Sequence, residues 1–290
     1  MTNKCLTLAL HGGAGAVPDR DYDREIAFMR RLAEAGGERL RAGASALEVA
    51  CETVAALEAC GLFVAGRGSS PNQAGRFELD ACLMDGPTQR AGAVAALEGF
   101  KSPIAAARAV MEMTPHVMLV GDGAAALAAE AKLEPIEDDG WFTPVRRRPA
   151  APVAGLSHGT VGCVVRDAEG RLAAATSTGG VFGKRLGRVG DAPIPGSGTW
   201  ADGQVAVSCT GLGEYFIRSS AASQLAFRVR FGGESLADAA KSVLDEVKAL
   251  GGDGGLIAVS ADGQVVTPYN SKGMNRAVLH ADGSVTAEVF

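Results

Sequence analysis

The chain has 290 residues, a net charge of −5, 47% hydrophobic and 21% charged residues. This is the mix of a soluble globular protein with ample length for a core, and it excludes a disordered chain and a coiled coil. No long basic run is present, so nucleic acid is not expected as a partner. The longest charge-free stretch, Pro149 to Val165, is broken by Ser157, His158 and Thr160, so no membrane span is expected. The apolar run Cys5 to Leu10 is too short for a signal-peptide core, and the expected location is cytoplasmic. The six cysteines are scattered, without CxxC or a Cys/His cluster, and read as small buried thiols rather than a zinc site.

In chain order, Cys5 to Leu10 reads as a strand followed by a glycine turn, His11 to Ala16. Asp23 to Arg41 reads as a helix, with Ile26, Met29, Leu32 and Leu40 at helical spacing. Ser45 caps a second helix through Cys60, with Glu48 completing a capping box. Phe77 to Met84 and Gln89 to Leu97 read as strands around Asp85-Gly86-Pro87. Pro103 opens a helix to Met113, His116 to Val120 is a short strand, and Gly123 to Leu133 an Ala-rich helix. Glu134 to His158, with Arg146-Arg147-Arg148, Pro149 and Pro152, reads as an unpacked linker. Three hairpins follow: Thr160 to Ala175, Leu256 to Pro268 around Asp262-Gly263, and Ala277 to Val289 around Asp282-Gly283. Helices are expected over about Glu214 to Arg230 and Ser235 to Leu250. The mixture fits two sheets faced by helices better than a doubly wound sheet. Trp141 and Trp200 are expected in loops.

Two segments invite chemistry. Gly13-x-Gly15-x-x-Pro18 lacks the third glycine of a dinucleotide fingerprint and runs into Pro18-Asp19-Arg20-Asp21 where a helix should begin, so a structural turn is the better reading. Thr160 starts a strand at the end of the linker. A cut at Gly159–Thr160 would give it a free α-amine beside its own hydroxyl. Such an amine, with a pKa of about 7.7–8.0, is a usable base, and Thr with its own N-terminal amine is a known nucleophile–base pair. The hairpin returns Thr178 to its side.

At this point the sequence resembles the plant-type L-asparaginases and isoaspartyl peptidases, N-terminal nucleophile hydrolases of the threonine type. The resemblance covers essentially the whole chain. It is carried by His11-Gly12-Gly13-Ala14-Gly15, Glu78-Leu79-Asp80-Ala81, Met84-Asp85-Gly86, Pro115-His116-Val117-Met118 and Gly159-Thr160-Val161-Gly162. It continues through Thr176-Ser177-Thr178-Gly179-Gly180, Gly187-Arg188-Val189-Gly190-Asp191, Ser208-Cys209-Thr210-Gly211-x-Gly213-Glu214, Gly254-Gly255-Leu256-Ile257 and Gly273-Met274. It implies an α+β fold, a four-layer αββα sandwich in a single domain that cuts itself into residues 1–159 and 160–290. Thr160 would be the nucleophile, Thr178 its hydrogen-bond partner, and Thr210 with the Gly211 N–H the oxyanion hole. Arg188 would hold the α-carboxylate, and Asp191 with the Gly213 carbonyl the α-ammonium, of a substrate with a free amino-acid head. Outside this family, Arg188 and Asp191 would read as a surface ion pair. The family also implies a structural sodium ion held by backbone carbonyls of Leu57, Glu58, Cys60, Phe63, Ala65 and Arg67, no catalytic cofactor, and a homodimer.

The expected reaction is hydrolysis of β-aspartyl (isoaspartyl) dipeptides, β-Asp-Arg or β-Asp-Lys among them, with L-asparaginase activity. A glycosylasparaginase-like amidase is the alternative on the same fold, and an uncleaved non-catalytic relative is another. The last is favoured by Val64, which stands where the family commonly has an Asn that supports the active-site Thr. Asn72 is a candidate for the missing polar group, and Lys272 departs from the smaller or acidic residue usual at its position. His11, His116, His158 and His280 need no catalytic role, and His11 and His116 read as buried or packed.

Overall fold

Short-range patterns in the chain account for most elements of the computed structural model, which describes residues 5–144 and 159–290. Strand β1 (Thr7–Ala14) is buried throughout. It does not give way to a glycine turn after Leu10. It runs on through His11, Gly12 and Gly13, with a bulge between His11 and Ala14. Gly12 serves space, since a Cβ there would stand 2.3 Å from the Phe63 ring. Helix α1 (Asp23–Arg41) has Asp23 and Glu25 in its first turn and Arg39 and Arg41 in its last, charges that suit each end of its dipole. The capping box of Ser45 and Glu48 opens α2 (Ala46–Ala59) as expected. Then come the hairpin β2 (Leu79–Asp85) and β3 (Ala91–Leu97), α3 (Pro103–Met113) capped by Ser102, β4 (Met118–Val120) and α4 (Gly121–Glu130).

The described part of the linker is largely exposed, as expected of a loop, but it is anchored where an unpacked segment would not be. Pro135 bridges Phe100, Asp139–Trp141 forms a 3-10 turn, and Phe142 is buried against Phe77 with ring centroids 3.7 Å apart. Arg146, Arg147, Arg148, Pro149, Pro152 and His158 lie outside the described residues.

The later hairpins are β5 (Val161–Arg166) with β6 (Leu172–Thr178), β9 (Gly254–Ser260) with β10 (Val265–Val266), and β11 (Met274–Leu279) with β12 (Val285–Glu288). Two further strands, β7 (Thr199–Ala201) and β8 (Val205–Gly211), pair as a fourth hairpin around Asp202-Gly203, an Asp-Gly signal absent from the expected set. Trp200 therefore lies in a strand. The helix expected over 214–230 is two, α5 (Gly213–Ser219) and α6 (Ala221–Gly232). They break at Ser220, whose backbone is left-handed (φ 49°, ψ 45°). Helix α7 (Leu236–Ala249) is capped by Ser235. No helix among the described residues is long and apolar enough to cross a membrane.

The larger sheet runs β12-β11-β1-β5-β6-β2-β3-β4 and the smaller β10-β9-β8-β7. Strand alternation sorts their side chains into three apolar layers. Leu8, Leu10, Val161, Cys163 and Val165 face α1 to α4. Val205, Val207, Cys209, Leu256 and Ala258 face α6 and α7. Ala9, Val164, Ala174, Ala206 and Ile257 fill the space between the sheets. Three such layers separate helices, sheet, sheet and helices, the αββα sandwich the sequence implied. Continuing the alternation by two and four residues carries the inter-sheet layer from alanines and valines to His11, Gly162, Thr176, Thr178, Ser208 and Thr210. The slab between the sheets is thus apolar at one end and polar at the other.

Candidate active site

Thr160 precedes β5 at this polar end and is buried. In the β5–β6 register Val161 opposes Ser177 and Gly162 opposes Thr176, so the next step sets Thr160 opposite Thr178. Thr160 Oγ1 donates to Thr178 Oγ1 at 3.3 Å, and the Gly180 N–H donates to the same Thr178 oxygen at 2.9 Å. The pairing expected across the hairpin is present. Val64 sits on Gly159: a Cβ at 159 would stand 2.3 Å from both Val64 Cβ and Cγ2. The Val64 carbonyl also accepts the Gly179 N–H at 2.9 Å. One apolar residue therefore braces both strand ends that carry the hydroxyl pair.

Asn72 does not replace the polar group missing at 64. Its amide nitrogen donates to Glu78 at 2.9 Å and its oxygen accepts from the Ala74 and Arg76 N–H groups. Glu78 in turn accepts from the Gly187 N–H at 2.8 Å, and its carbonyl from Lys184 Nζ at 2.8 Å. Asn72 and Glu78 thus shape the loop that carries Arg188.

Thr210 is buried on β8, its hydroxyl oxygen 3.2 Å from the Ala14 N–H. The Leu212 N–H bonds the Asp253 carbonyl, and Gly211 opposes Gly254. In an antiparallel ladder bonded and non-bonded pairs alternate, so the Gly211 N–H points away from β9. Cys209 lies two residues back with its N–H on the Gly198 carbonyl at 2.8 Å. The Gly211 N–H therefore faces the side on which residues 191–198 run.

Asp191 and Gly213 come together: a Cβ on Gly213 would lie 2.8 Å from Asp191 Oδ1. Asp191 is buried, its Oδ2 meets no partner among the described residues, and burial pushes its carboxyl up from 3.8 to about 7. Arg188 is not paired with Asp191. Its guanidinium holds Glu214, on the first turn of α5, through two bonds of 2.9 Å. Sequence reading missed this partner, although a carboxylate directly after Gly213 was a signal for it.

The loop from 57 to 67 leaves the C-terminal end of α2, where free carbonyls and the negative pole of the helix favour a cation. The carbonyls of Phe63, Ala65 and Arg67 accept the N–H groups of Ala65, Gly68 and Thr143, and each keeps a second lone pair. The Leu57 carbonyl takes the Cys60 thiol. The donor set is all oxygen and fits a hard ion. The Glu58 carboxylate turns inward, where it accepts from Ser102 Oγ at 2.6 Å and the Ile104 N–H at 2.9 Å at the start of α3.

Of the histidines, His11 is fully buried, and burial pushes its ring down to about 3. His116 is exposed rather than packed. Lys272 is exposed in the turn before β11. Cys51, Cys82, Cys163 and Cys209 are buried free thiols.

Comparison with known proteins finds relatives over the whole chain. A family model described as asparaginase matches residues 4–151 and 146–288. An isoaspartyl peptidase of Salmonella typhimurium is 46% identical over 306 residues, covering 98% of each chain. One of Escherichia coli is 43% identical, covering 98% of this chain and 95% of the relative. A plant-type L-asparaginase of Pyrobaculum calidifontis is 41% identical over 98% of this chain and 99% of its own. The chain belongs to the asparaginase family.

Proposed function

We propose that the protein is an autoprocessing threonine hydrolase that cleaves β-aspartyl (isoaspartyl) dipeptides and asparagine. The observation that carries the reading is the buried Thr160–Thr178 hydroxyl pair, 3.3 Å apart. The names of the relatives at 41–46% identity, isoaspartyl peptidase and L-asparaginase, support the two substrates.

In the first reaction Thr160 Oγ attacks the Gly159 carbonyl carbon. The Gly159–Thr160 C–N bond breaks, the hydroxyl proton passes to the freed amine, and water hydrolyses the resulting ester. The products are residues 1–159 and a chain beginning Thr160-Val161-Gly162. The new α-amine then serves as base for turnover. Thr160 Oγ attacks the substrate's side-chain amide carbon, and the negative oxygen that develops is met by Thr210 and the Gly211 N–H. The amine or ammonia leaves with the proton, and water releases aspartate from the Thr160 ester. Thr178 holds the nucleophile's hydroxyl in line.

Arg188 exchanges Glu214 for the substrate's α-carboxylate, and Asp191 with the Gly213 carbonyl takes its α-ammonium. An ordinary α-peptide has no free α-carboxylate at its aspartyl residue and is rejected. A net charge of −5 accords with a basic leaving residue, as in β-Asp-Arg or β-Asp-Lys. Bound sodium would be coordinated by the carbonyls of Leu57, Glu58, Cys60, Phe63, Ala65 and Arg67 and would stiffen their loop. The working unit is a homodimer of cut chains, and its free cysteines suit the reducing cytoplasm.

The test is an intact-mass spectrum of the protein, fresh and after days of incubation, followed by assays on a β-aspartyl dipeptide and asparagine. Two pieces, the second starting at Thr160, with release of aspartate are expected. A persistently whole 290-residue chain inactive on both substrates would overturn the proposal.

A further inference from the structure

We infer that His11 is a positioning residue: it pins the backbone carbonyl of Thr160, and a string of buried hydroxyls holds its other ring nitrogen. The kinetic consequence rests on the hydrolase reading above; the hydrogen-bond string does not. His11 Nδ1 lies 3.1 Å from the Thr160 carbonyl oxygen and Nε2 2.9 Å from Ser208 Oγ. Ser208 Oγ lies 2.7 Å from Thr176 Oγ1, which lies 2.6 Å from Thr199 Oγ1. All four side chains have zero exposure. The string crosses from β1 to β8, back to β6 and on to β7, and so ties the two sheets together at their polar end.

Its polarity follows from chemistry. A carbonyl oxygen accepts only, so a neutral His11 carries its proton on Nδ1 and leaves Nε2 as an acceptor. Burial, which pushes the ring down to about 3, keeps it neutral. Ser208 then donates to Nε2, Thr176 to Ser208, and Thr199 to Thr176 at 2.6 Å, the shorter of its two contacts, the other being the Ala192 carbonyl at 3.0 Å. Every dipole in the string points toward the Thr160 carbonyl. Room for the central contact comes from Gly162, where a Cβ would stand 2.0 Å from Ser208 Oγ and 2.5 Å from His11 Nε2.

The arrangement answers a problem that cutting creates. Once the Gly159–Thr160 bond is cut, the nucleophile is a chain end, and chain ends fray unless tied down. Thr160 lies outside β5, so ladder bonding begins one residue too late to hold it. His11 holds it from the other piece by its own carbonyl, leaving hydroxyl and amine free to react. Thr178 grips the hydroxyl side, and two points of attachment fix the residue. Small misplacement of a reacting group costs on the order of 10²-fold in rate.

Two substitutions separate the two ring nitrogens. In H11N the amide N–H takes the place of Nδ1–H, toward Thr160. In H11Q the amide reaches the place of Nε2, toward Ser208. We expect H11Q to lower kcat for asparagine by roughly 10–100-fold at unchanged KM, and H11N to exceed H11Q in kcat by about tenfold. Equal kcat in the two, or a loss confined to KM, would overturn the positioning role. A readout independent of activity is the ¹⁵N NMR spectrum of histidine-labelled protein, with His11 assigned by its absence in H11N. An Nδ1–H tautomer that does not titrate between about pH 5 and about pH 8 is expected. An Nε2–H tautomer or a titrating ring would overturn the inference even in a wild-type protein without hydrolase activity. Should neither His11 variant fold, S208A leaves the Thr160 contact in place and removes only the group at Nε2. The Nδ1–H tautomer is expected to persist, held by the Thr160 carbonyl, and a shift to Nε2–H would overturn the pinning.

Discussion

Replacing Asp191 by Asn should stabilise the protein at neutral and higher pH while abolishing its grip on substrate. Asp191 is buried with Oδ2 unpartnered, and its carboxyl is raised from 3.8 to about 7 chiefly by loss of water, only partly offset by backbone N–H groups and the nearby Arg188 charge. At 1.36 kcal/mol per pH unit that span is about 4 kcal/mol against the charged form. Below about pH 4 the group is protonated in folded and unfolded chains alike and contributes no difference. Between about pH 4 and 7 the unfolded chain ionises and the folded one does not, so stability falls as pH rises. Above about pH 7 the full penalty is present. Asn is neutral throughout and of nearly the same size. Urea unfolding of D191N and wild type should therefore coincide near pH 4 and diverge by up to about 4 kcal/mol at pH 8, with the variant more stable. In thermal melts this is about 5–10 °C. The same variant should raise KM for asparagine at least about 30-fold, through loss of a buried charge-assisted bond to the α-ammonium. A difference between variant and wild type that stays constant from pH 4 to pH 8 would refute the reasoning.

Thr178→Val removes the hydroxyl 3.3 Å from Thr160 and leaves the Gly180 N–H without its acceptor; self-cutting and kcat should each fall by about 10–100-fold, read from mass-spectrometric time courses and initial rates. Gly159→Ala drives a methyl to within 2.3 Å of both Val64 Cβ and Cγ2 and should slow or stop the cut, whereas adding Val64→Gly, which removes both atoms, should restore it in part; equal rates in the single and double variants would show that the clash is relieved elsewhere. Ser220→Gly keeps every backbone bond at the α5–α6 break and relieves a left-handed backbone (φ 49°); a gain of about 1 kcal/mol in urea unfolding is expected.

What the sequence made legible was what is local or repeats at period two. The capping box at Ser45, Pro103 at a helix start and the Asp-Gly hairpins are short-range chemistry, and all stand as expected. Hairpin arithmetic alone brings Thr160 and Thr178 together. Apart from the Asp202-Gly203 hairpin, a local signal not among the expected ones, the errors are long-range. The break at Ser220 leaves no mark in the apolar pattern, because the Ala221 to Ala226 face continues the spacing of α5. The Phe142–Phe77 stack joins residues far apart in the chain, a pairing that local composition does not carry. Asn72 and Glu214 were assigned by type or passed over, because their partners, Glu78 and Arg188, are set by tertiary structure. Thr176, by contrast, was within reach: it shares the face of Thr178, two residues away on the same strand.

The larger sheet draws alternately on both sides of the Gly159–Thr160 bond. Strand β1 lies between β11 and β5, and β2 lies against β6. In the uncut chain, unfolding is a unimolecular event that reverses at any dilution. After the proposed cut, the pieces that must interleave no longer share a backbone, so recovery is second order in fragment and slows as the protein is diluted. Survival of the mature protein then depends on how rarely it opens rather than on how favourably it would re-form, and its durability is measured as a lifetime.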